Sequence, residues 1–279
     1  MLPDPHIAPP RDDQPTPVER APVVVSIDDE QAAAKMSLGE HLAELRRRVI
    51  YALIGLALAT GVAMSFAQPL IRLCERPFLQ AMEQSGQTPQ LTMIGLTDAF
   101  MTYLRVGLYA GLVLAAPWIF YQLWMFVAAG LYRHERRYVL WAVPFSVLLF
   151  LLGAAFGVWL SAPAIRFFLG FADTLGVVPI VTLEAYISFM TNLLLVFGLV
   201  FEVPLVVVVL AKVGLVERRT LSKYRRHVIV AMTAAAAFLA PPDALSMILM
   251  VLPMWGLYEL GIGLAWVVVF RKKAVGRGL

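Results

Sequence analysis

The sequence HLAELRRR, residues 41–48, continues directly into the apolar sequence VIYALIGLALATGVAMSFA, residues 49–67. In these segments Leu42, Leu45 and Val49 recur at helical spacing, which is typical of a helix with one apolar face. The second segment is long enough to cross the hydrocarbon core of a bilayer as a helix. We therefore predict a helix that lies at a membrane surface and leads directly into a first transmembrane span.

The composition of the whole chain is that of a membrane protein. Of its 279 residues, 60% are hydrophobic and only 15% are charged. Long unbroken apolar stretches favour transmembrane helices over a β-barrel, whose strands alternate apolar and polar residues. The predicted fold class is all-α, a polytopic integral membrane protein with six transmembrane helices. The predicted spans are residues 49–67, 103–129, 139–162, 185–213, 227–240 and 244–265.

The fifth predicted span is short for a bilayer. Its length along a helix is about 21 Å, against roughly 30 Å of hydrocarbon. Pro241, Pro242 and Asp243 turn the chain into the sixth span. A hairpin this short requires either local thinning of the membrane or a partner that covers its ends.

Positive charge is distributed unevenly between the predicted loops. Of the 23 Lys and Arg residues, 16 lie in segments 46–48, 133–137, 212–226 and 271–277. All four segments fall on one side of a six-span topology. The positive-inside rule assigns that side to the cytoplasm, so both termini are predicted to be cytoplasmic.

The connections between spans are predicted from breakers and charge. A loop of about 30 residues follows the first span and contains Pro69 and Pro77. Part of it is expected to lie against the membrane surface, because Pro77 and Phe78 are apolar. Residues 130–137 are predicted to be a short charged loop, and residues 163–182 a second outer loop.

Three domains are predicted from these patterns. Residues 1–35 are rich in proline and acidic residues, so they are expected to form a disordered cytoplasmic tail. They lack a basic segment followed by an apolar core, the pattern of a cleaved signal peptide. Residues 36–266 form the six-span membrane domain, and residues 267–279 a basic cytoplasmic tail.

Several function classes are excluded by what the sequence lacks. The net charge of +4 does not indicate nucleic-acid binding, because the basic residues cluster at the predicted membrane edges. Cys74 is the only cysteine, which excludes an intramolecular disulfide and a cysteine-based metal cluster. There is no phosphate-binding loop, and His134-Glu135 lacks the second histidine of a zinc protease motif. We therefore predict no enzyme activity, no catalytic residue, no metal site and no cofactor.

Glu44 has two interpretations. It precedes Arg48 by four residues, the favourable order for a surface ion pair, so it could serve only to neutralise Arg48 while the arginines anchor the span. Glu135 lies in the equally basic segment 133–137, which by itself is typical of a solvated loop. Taken together, however, two cytoplasmic carboxylates can bind two guanidinium groups of a ligand through charge-assisted bonds.

Glu202 lies deep in the fourth predicted span. An intramembrane carboxylate is costly and therefore a candidate for function. It is expected to face a hydrated concavity or a partner, and the alternative is a buried structural hydrogen bond to a neighbouring span. Pro204 is expected to kink the helix beside it. A secondary transporter that binds a proton or ion at Glu202 is a competing hypothesis, although the chain shows no internal repeat of spans.

Several motifs together resemble the TatC family, the multi-spanning receptor of the twin-arginine protein translocase. The resemblance covers about residues 37–266. The motifs that carry it are HLAELRRR at 41–48, Phe126, LYRHERR at 131–137, FEVP at 201–204, PPD at 241–243, Pro253 and Tyr258-Glu259.

The resemblance implies a concave, glove-like bundle of six spans in a bacterial or archaeal cytoplasmic (inner) membrane. It implies a receptor for the twin-arginine signal peptides of folded proteins, whose export is driven by the proton-motive force. The implied partners are these signal peptides, TatA- and TatB-type single-span proteins, the lipid bilayer and further copies of the chain, with no nucleic acid.

The resemblance also assigns residues. Glu44 and Glu135 match the two recognition carboxylates of the family. The residues that match positions around them are Arg46, Arg48, Phe126, Leu131 and Arg133. Glu202, with Pro204 beside it, matches the intramembrane polar position that meets partner helices. The matching residues of the outer face are Pro77 and Asp243. The chain departs from the family pattern at Ala240, often threonine, and at Met247, glutamine in some relatives.

Overall fold

The computed structural model describes residues 38–84, 86, 90–131, 133–177, 179–214, 223–239 and 244–267. For residues 38, 133–138, 235, 238–239, 244–246 and 249 it describes the backbone alone. The described residues form eight helices and no named strand. The helices are α1 (Leu38–Met64), α2 (Ala67–Gln84), α3 (Asp98–Ala129), α4 (Arg133–Thr174), α5 (Leu183–Val200), α6 (Val203–Val213), α7 (Arg225–Leu239) and α8 (Ala244–Ala265).

Four segments of the described chain are long and apolar enough to cross a membrane. They are Gly39–Met64, Asp98–Ala129, Val139–Thr174 and Leu183–Val213. They coincide with the first four predicted spans, which confirms the prediction of an all-helical, polytopic membrane protein. The fifth and sixth predicted spans coincide with α7 and α8. α7, which corresponds to the fifth predicted span, has 15 residues and is only about 22 Å long, so it is short, as predicted.

The first outer connection is largely helical, so the prediction of a loop there is wrong. α2 contains both Pro69 and Pro77. Pro69 lies in the first turn, where an N–H has no intrahelical partner to lose. Pro77 lies in the interior, but Phe78 and Met82 beside it are buried. Their burial against other helices stabilises a helix that the prolines alone would disfavour.

α4 is longer than the predicted span in both directions. Its 42 residues begin at Arg133, inside the predicted charged loop, and continue past Pro163 to Thr174. The predictions of a loop through residue 137 and of a second loop starting at Pro163 are therefore wrong. The extension packs in a shared apolar cluster, in which Ile165 and Leu169 contact the buried part of α2. This tertiary contact, absent from the local sequence pattern, explains why the helix continues.

The fourth predicted span is broken, which confirms the predicted kink. α5 ends at Val200 and α6 begins at Val203, with Pro204 in its first turn. Proline has no N–H to donate to the carbonyl of Val200, four residues earlier. Glu202 instead donates its N–H to the carbonyl of Leu199 at 3.1 Å, closing a tighter turn. The break places Glu202 between two helices.

Glycines let the helices of the bundle approach closely. A Cβ atom added to Gly111 of α3 would lie 2.5 Å from Cα of Thr60 in α1. One added to Gly157 of α4 would lie 2.7 Å from the carbonyl oxygen of Leu193 in α5. Small residues at such crossings allow the backbone contact that holds helices together where lipid provides no hydrophobic driving force.

The end of the bundle away from residues 41–48 is closed by a group of contacts that we call the outer cluster, formed by Phe78, Cys74, Tyr186, Thr92 and Thr182. The rings of Phe78 and Tyr186 pack at 5.0 Å between centroids, and the Tyr186 hydroxyl donates to the Cys74 carbonyl at 2.6 Å. Thr92 and Thr182 form an isolated parallel β-bridge. These contacts tie the two outer connections to each other.

Candidate functional site

α1 turns Glu44 inward, towards α3. Only 8% of the residue is exposed. Its Oε1 lies 2.7 Å from Nε of Arg48, which confirms the predicted ion pair. Its Oε2 lies 2.6 Å from Nη2 of Arg47, a second ion pair that was not predicted. Both follow from helix geometry, because residues three and four positions apart share a face.

Arg48 links this carboxylate to the neighbouring helix. Its Nη1 donates to Oε1 of Gln122 in α3 at 3.0 Å, and Gln122 is buried. The side chain of Arg48 is 15% exposed, so its donors require protein acceptors in place of water. Glu44 and Gln122 provide them. Arg48 therefore joins α1 to α3 and fixes the orientation of the Glu44 carboxylate.

A cavity of about 210 Å³ lies beside this ion-pair cluster. Glu44, Arg47 and Arg48 form its polar wall. The apolar wall is formed by Met125, Ala128, Ala129 and Leu140. An anionic oxygen next to an apolar surface suits a guanidinium group, because guanidinium is planar, weakly hydrated and forms charge-assisted hydrogen bonds at its edge.

His41 and Phe126 make a second contact between α1 and α3. Their rings stack with centroids 4.5 Å apart and planes inclined by 27°. A Cβ atom on Gly130, just beyond α3, would lie 3.3 Å from Cε1 of His41, so this position leaves little space for a side chain. Phe126, predicted to lie around the site, is thereby placed one turn along α3 from Gln122.

The other residues predicted around Glu44 differ in their placement. Leu131 is buried in an apolar cluster with Val139 of α4, where it packs the junction of α3 and α4. Arg46 is exposed on α1. Arg133 and Glu135 lie in the first turn of α4, and their side chains fall outside the described residues. The pairing of Glu44 with Glu135 therefore stays a prediction.

Glu202 faces the interior of the bundle. It is 7% exposed, and its carboxylate lies beside the hydroxyl of Ser146 in α4. Ser146 is fully buried and also accepts a hydrogen bond from Nε1 of Trp124 at 2.7 Å. The structure thus brings Glu202 to a neighbouring span, as the structural interpretation predicted. Its Oε1, however, is buried with no hydrogen-bond partner among the described residues.

Pro204 has a packing role beside this carboxylate. A Cβ atom on Gly261 of α8 would lie 2.8 Å from Cα of Pro204, so the two helices touch at backbone distance. Val207, one turn on, is buried in the same apolar cluster as Ile262. The break at Glu202 is therefore held on one side by α4 and on the other by α8.

Of the two residues predicted for the outer face, the structure describes one. Pro77 lies within α2, between Cys74 and Phe78 of the outer cluster. Asp243 lies outside the described residues, as does Ala240. Met247 is half-buried and packs against the apolar cluster of α5, α6 and α8.

Two observations concern the other ionisable side chains. Within the described ranges no group of three His, Cys, Asp or Glu residues is arranged to hold a metal ion. Glu259 of α8 forms an ion pair with Arg225 of α7 at 3.0 Å. That contact links α7 to α8.

Comparison with known proteins identifies the family. The model of TatC, the Sec-independent protein translocase protein, matches residues 40–253. The chain belongs to the TatC family. A TatC protein of Desulforapulum autotrophicum is 39% identical over 230 residues, which cover 82% of this chain and 83% of that protein. A TatC protein of Aquifex aeolicus is 34% identical over 244 residues, covering 86% and 99%.

A solved TatC structure supports the fold as well. The crystal structure of a twin arginine translocase receptor, TatC, matches with a TM-score of 0.74 and 33% sequence identity. The match covers 81% of this chain and 98% of that one. TatC proteins are components of a protein translocase and are not enzymes, so the predicted absence of enzyme activity is confirmed.

Sequence reasoning missed four residues that shape these sites: Arg47 at Glu44, Gln122 behind Arg48, and Trp124 and Ser146 near Glu202. A signal for Gln122 and Ser146 was present, because polar side chains inside apolar spans usually have a bonding partner. The periodicity of one helix cannot say which residue of another helix that partner is.

Proposed function

We propose that this TatC protein recognises twin-arginine signal peptides and exports folded proteins across a bacterial or archaeal cytoplasmic (inner) membrane, driven by the proton-motive force. The observation that carries the proposal is the buried carboxylate of Glu44, which faces a small, partly apolar cavity at the charged end of the bundle. A signal peptide with two consecutive arginines presents the guanidinium groups that such a carboxylate binds.

The proposed topology has six spans with both termini in the cytoplasm. Four membrane-length segments and the two further helices α7 and α8 supply the required elements. Segments 46–48, 133–137, 212–226 and 271–277 supply the positive charge of the cytoplasmic side. Residues 36–266 then form the membrane domain, and residues 1–35 and 267–279 the two cytoplasmic tails.

At the proposed peptide site, Glu44 and Glu135 each bind one arginine of the motif. The rings of His41 and Phe126 stack on each other and form one side of the site near Glu44. Leu131 packs the junction from which α4, carrying Arg133 and Glu135, begins. The surrounding positive residues are Arg46, Arg48 and Arg133.

Glu202 is proposed to contact TatA- or TatB-type single-span partners, with Pro204 breaking the helix beside it. In support, one carboxylate oxygen is buried with no partner in the described part of the chain, a state that costs free energy until a donor is supplied. Pro77 and Asp243 are proposed to act on the outer face. Further copies of the chain are proposed to join the same complex.

The central experiment is peptide binding to the full-length chain in nanodiscs. A signal peptide bearing Arg-Arg is compared with the same peptide bearing Lys-Lys, which keeps the charge but lacks the planar fork. We expect preference for Arg-Arg, and a loss of about 1–3 kcal/mol of binding free energy in Glu44→Gln, because a charge-assisted hydrogen bond is removed. Glu135→Gln is expected to give a loss of similar size.

The matched control is Glu40→Gln, one turn earlier on α1 and exposed. It removes the same charge from the same helix, so any effect of net charge alone will appear in both variants. Equal binding by Glu44→Gln and the parent protein, or equal affinity for both peptides, would contradict the proposed site.

A further inference from the structure

The two oxygens of the Glu44 carboxylate have unlike partners. Oε1 bonds Arg48, whose side chain is 15% exposed and has a second bond to buried Gln122. Oε2 bonds Arg47, whose side chain is 56% exposed. One partner is therefore built into the contact between α1 and α3, whereas the other reaches the carboxylate from the surface.

These environments predict that breaking the two ion pairs costs different amounts of free energy. Separating Arg48 from Glu44 would leave a buried carboxylate oxygen and a buried guanidinium short of partners, which is strongly unfavourable. Separating Arg47 costs little, because an exposed guanidinium regains water and exposed ion pairs are weak. A competing cation that arrives at Glu44 will therefore displace Arg47 and leave Arg48 in place.

The cavity reaches both ion pairs, because Glu44, Arg47 and Arg48 all line it. The two arginines differ in exposure and in the bond to Gln122, which holds Arg48 in place. A ligand guanidinium in this cavity brings a second positive charge next to Arg47, and the repulsion between like charges favours withdrawal of the more exposed arginine. Arg47 is long and exposed enough to turn into solvent without a change in α1.

We propose that Arg47 is a place-holder, which occupies Oε2 of Glu44 in the free protein and is replaced there by one guanidinium of the bound peptide. Arg48, held by Gln122, keeps Oε1 throughout. The inference rests on the proposed function, in which Glu44 binds an arginine of the signal peptide. It adds that the peptide arginine shares the carboxylate with Arg48, and that binding exchanges one guanidinium for another.

The exchange of Arg47 for a peptide guanidinium affects the affinity for the peptide in two ways. The free carboxylate is never without a counter-charge, which offsets part of the cost of burying it before the peptide arrives. The same counter-charge must be displaced, which weakens net binding. Removal of Arg47 should therefore strengthen peptide binding, the opposite of what is expected for a residue that contacts the ligand favourably.

The test compares Arg47→Gln with the parent protein, using the Arg-Arg peptide and the full chain in nanodiscs. We expect peptide affinity to rise about twofold to fivefold, the range that corresponds to ~0.4–1 kcal/mol for an exposed ion pair. The side chain of Arg47 is mostly exposed, so the variant is expected to fold normally.

A double-mutant cycle with Glu44→Gln separates competition at Oε2 from a general effect of charge. If Arg47 competes for this carboxylate, its removal has no effect on affinity once Glu44 is Gln. A gain that persists in the Glu44→Gln background would assign the effect to net charge and overturn the inference. Unchanged or weaker binding by Arg47→Gln would overturn it too.

Failure of the inference and failure of the proposed function give different results. If Glu44→Gln weakens binding but Arg47→Gln does not strengthen it, Glu44 binds the peptide and Arg47 is no place-holder. If Glu44→Gln binds the peptide as the parent does, the proposed function fails at this residue, and the inference fails with it.

Discussion

Trp124 and Ser146 are joined by a buried hydrogen bond between α3 and α4, in which the indole N–H donates to the hydroxyl at 2.7 Å. The same hydroxyl lies beside the carboxylate of Glu202. One serine therefore connects three helices at the break between α5 and α6. A hydroxyl can do this because it accepts and donates at once.

Ser146→Ala is expected to destabilise the bundle. The substitution removes the acceptor of the Trp124 indole N–H and a polar neighbour of Glu202, and interhelical hydrogen bonds inside membranes contribute about 0.5–2 kcal/mol. The measurement is the midpoint of thermal unfolding in detergent. Ser161→Ala on the same helix is the matched control, because Ser161 is equally buried but bonds only the carbonyl of Val158 in its own helix. Equal midpoints for the two variants would contradict a connecting role for Ser146.

Gly157→Ala is expected to cost about 1–3 kcal/mol of stability. The added Cβ atom would lie 2.7 Å from the carbonyl oxygen of Leu193, and backbone cannot move aside as a flexible side chain does, so α4 and α5 must separate. Gly170→Ala on the same helix meets no atom within 4 Å. It should be neutral or slightly stabilising, since alanine favours helix. A comparable loss in both variants would mean that helix crossing is not the cause.

Glu202→Ala is expected to keep peptide binding and to lose crosslinking to a single-span TatA- or TatB-type partner. The reason is that the two carboxylates lie in different parts of the chain. Glu202 lies at the break within the fourth span, whereas Glu44 lies near the start of α1. Glu184→Ala, which removes a half-exposed carboxylate at the start of α5 that pairs with Arg105, serves as the control. Crosslinking that is unchanged in Glu202→Ala would leave Glu202 with only a structural role beside Ser146.

Tyr186→Phe is expected to loosen the outer cluster. It removes the hydrogen bond to the Cys74 carbonyl, worth about 1 kcal/mol, so local opening should become roughly fivefold more frequent. Cys74 is the only cysteine and half-buried, so its rate of labelling by a maleimide reports this opening directly. Tyr121→Phe, at an exposed ring on α3, should leave the rate unchanged. A Tyr186→Phe rate equal to that of the parent would show that this bond does not hold α2 in place.

Some helices were predictable from the local sequence pattern, whereas others depend on tertiary packing. The spans around residues 103–129 and 185–213 were predictable, because an apolar stretch in lipid must satisfy its own backbone bonds. α2 and the extension of α4 beyond Pro163 were not. Their prolines are local signals for a break, and they were overridden by the burial of Phe78, Ile165 and Leu169 against one another.

The sequence alone determined that this is a polytopic α-helical membrane protein, that its fourth span breaks near Pro204, and that Glu44 pairs with Arg48. All three depend on residues close together in the chain. Only the tertiary structure decided that Gln122 holds Arg48 and that Glu202 lies beside Ser146. The physical reason is that a polar side chain buried in a bundle takes its partner from whichever helix lies opposite. Which helix that is depends on how closely small residues let the backbones approach.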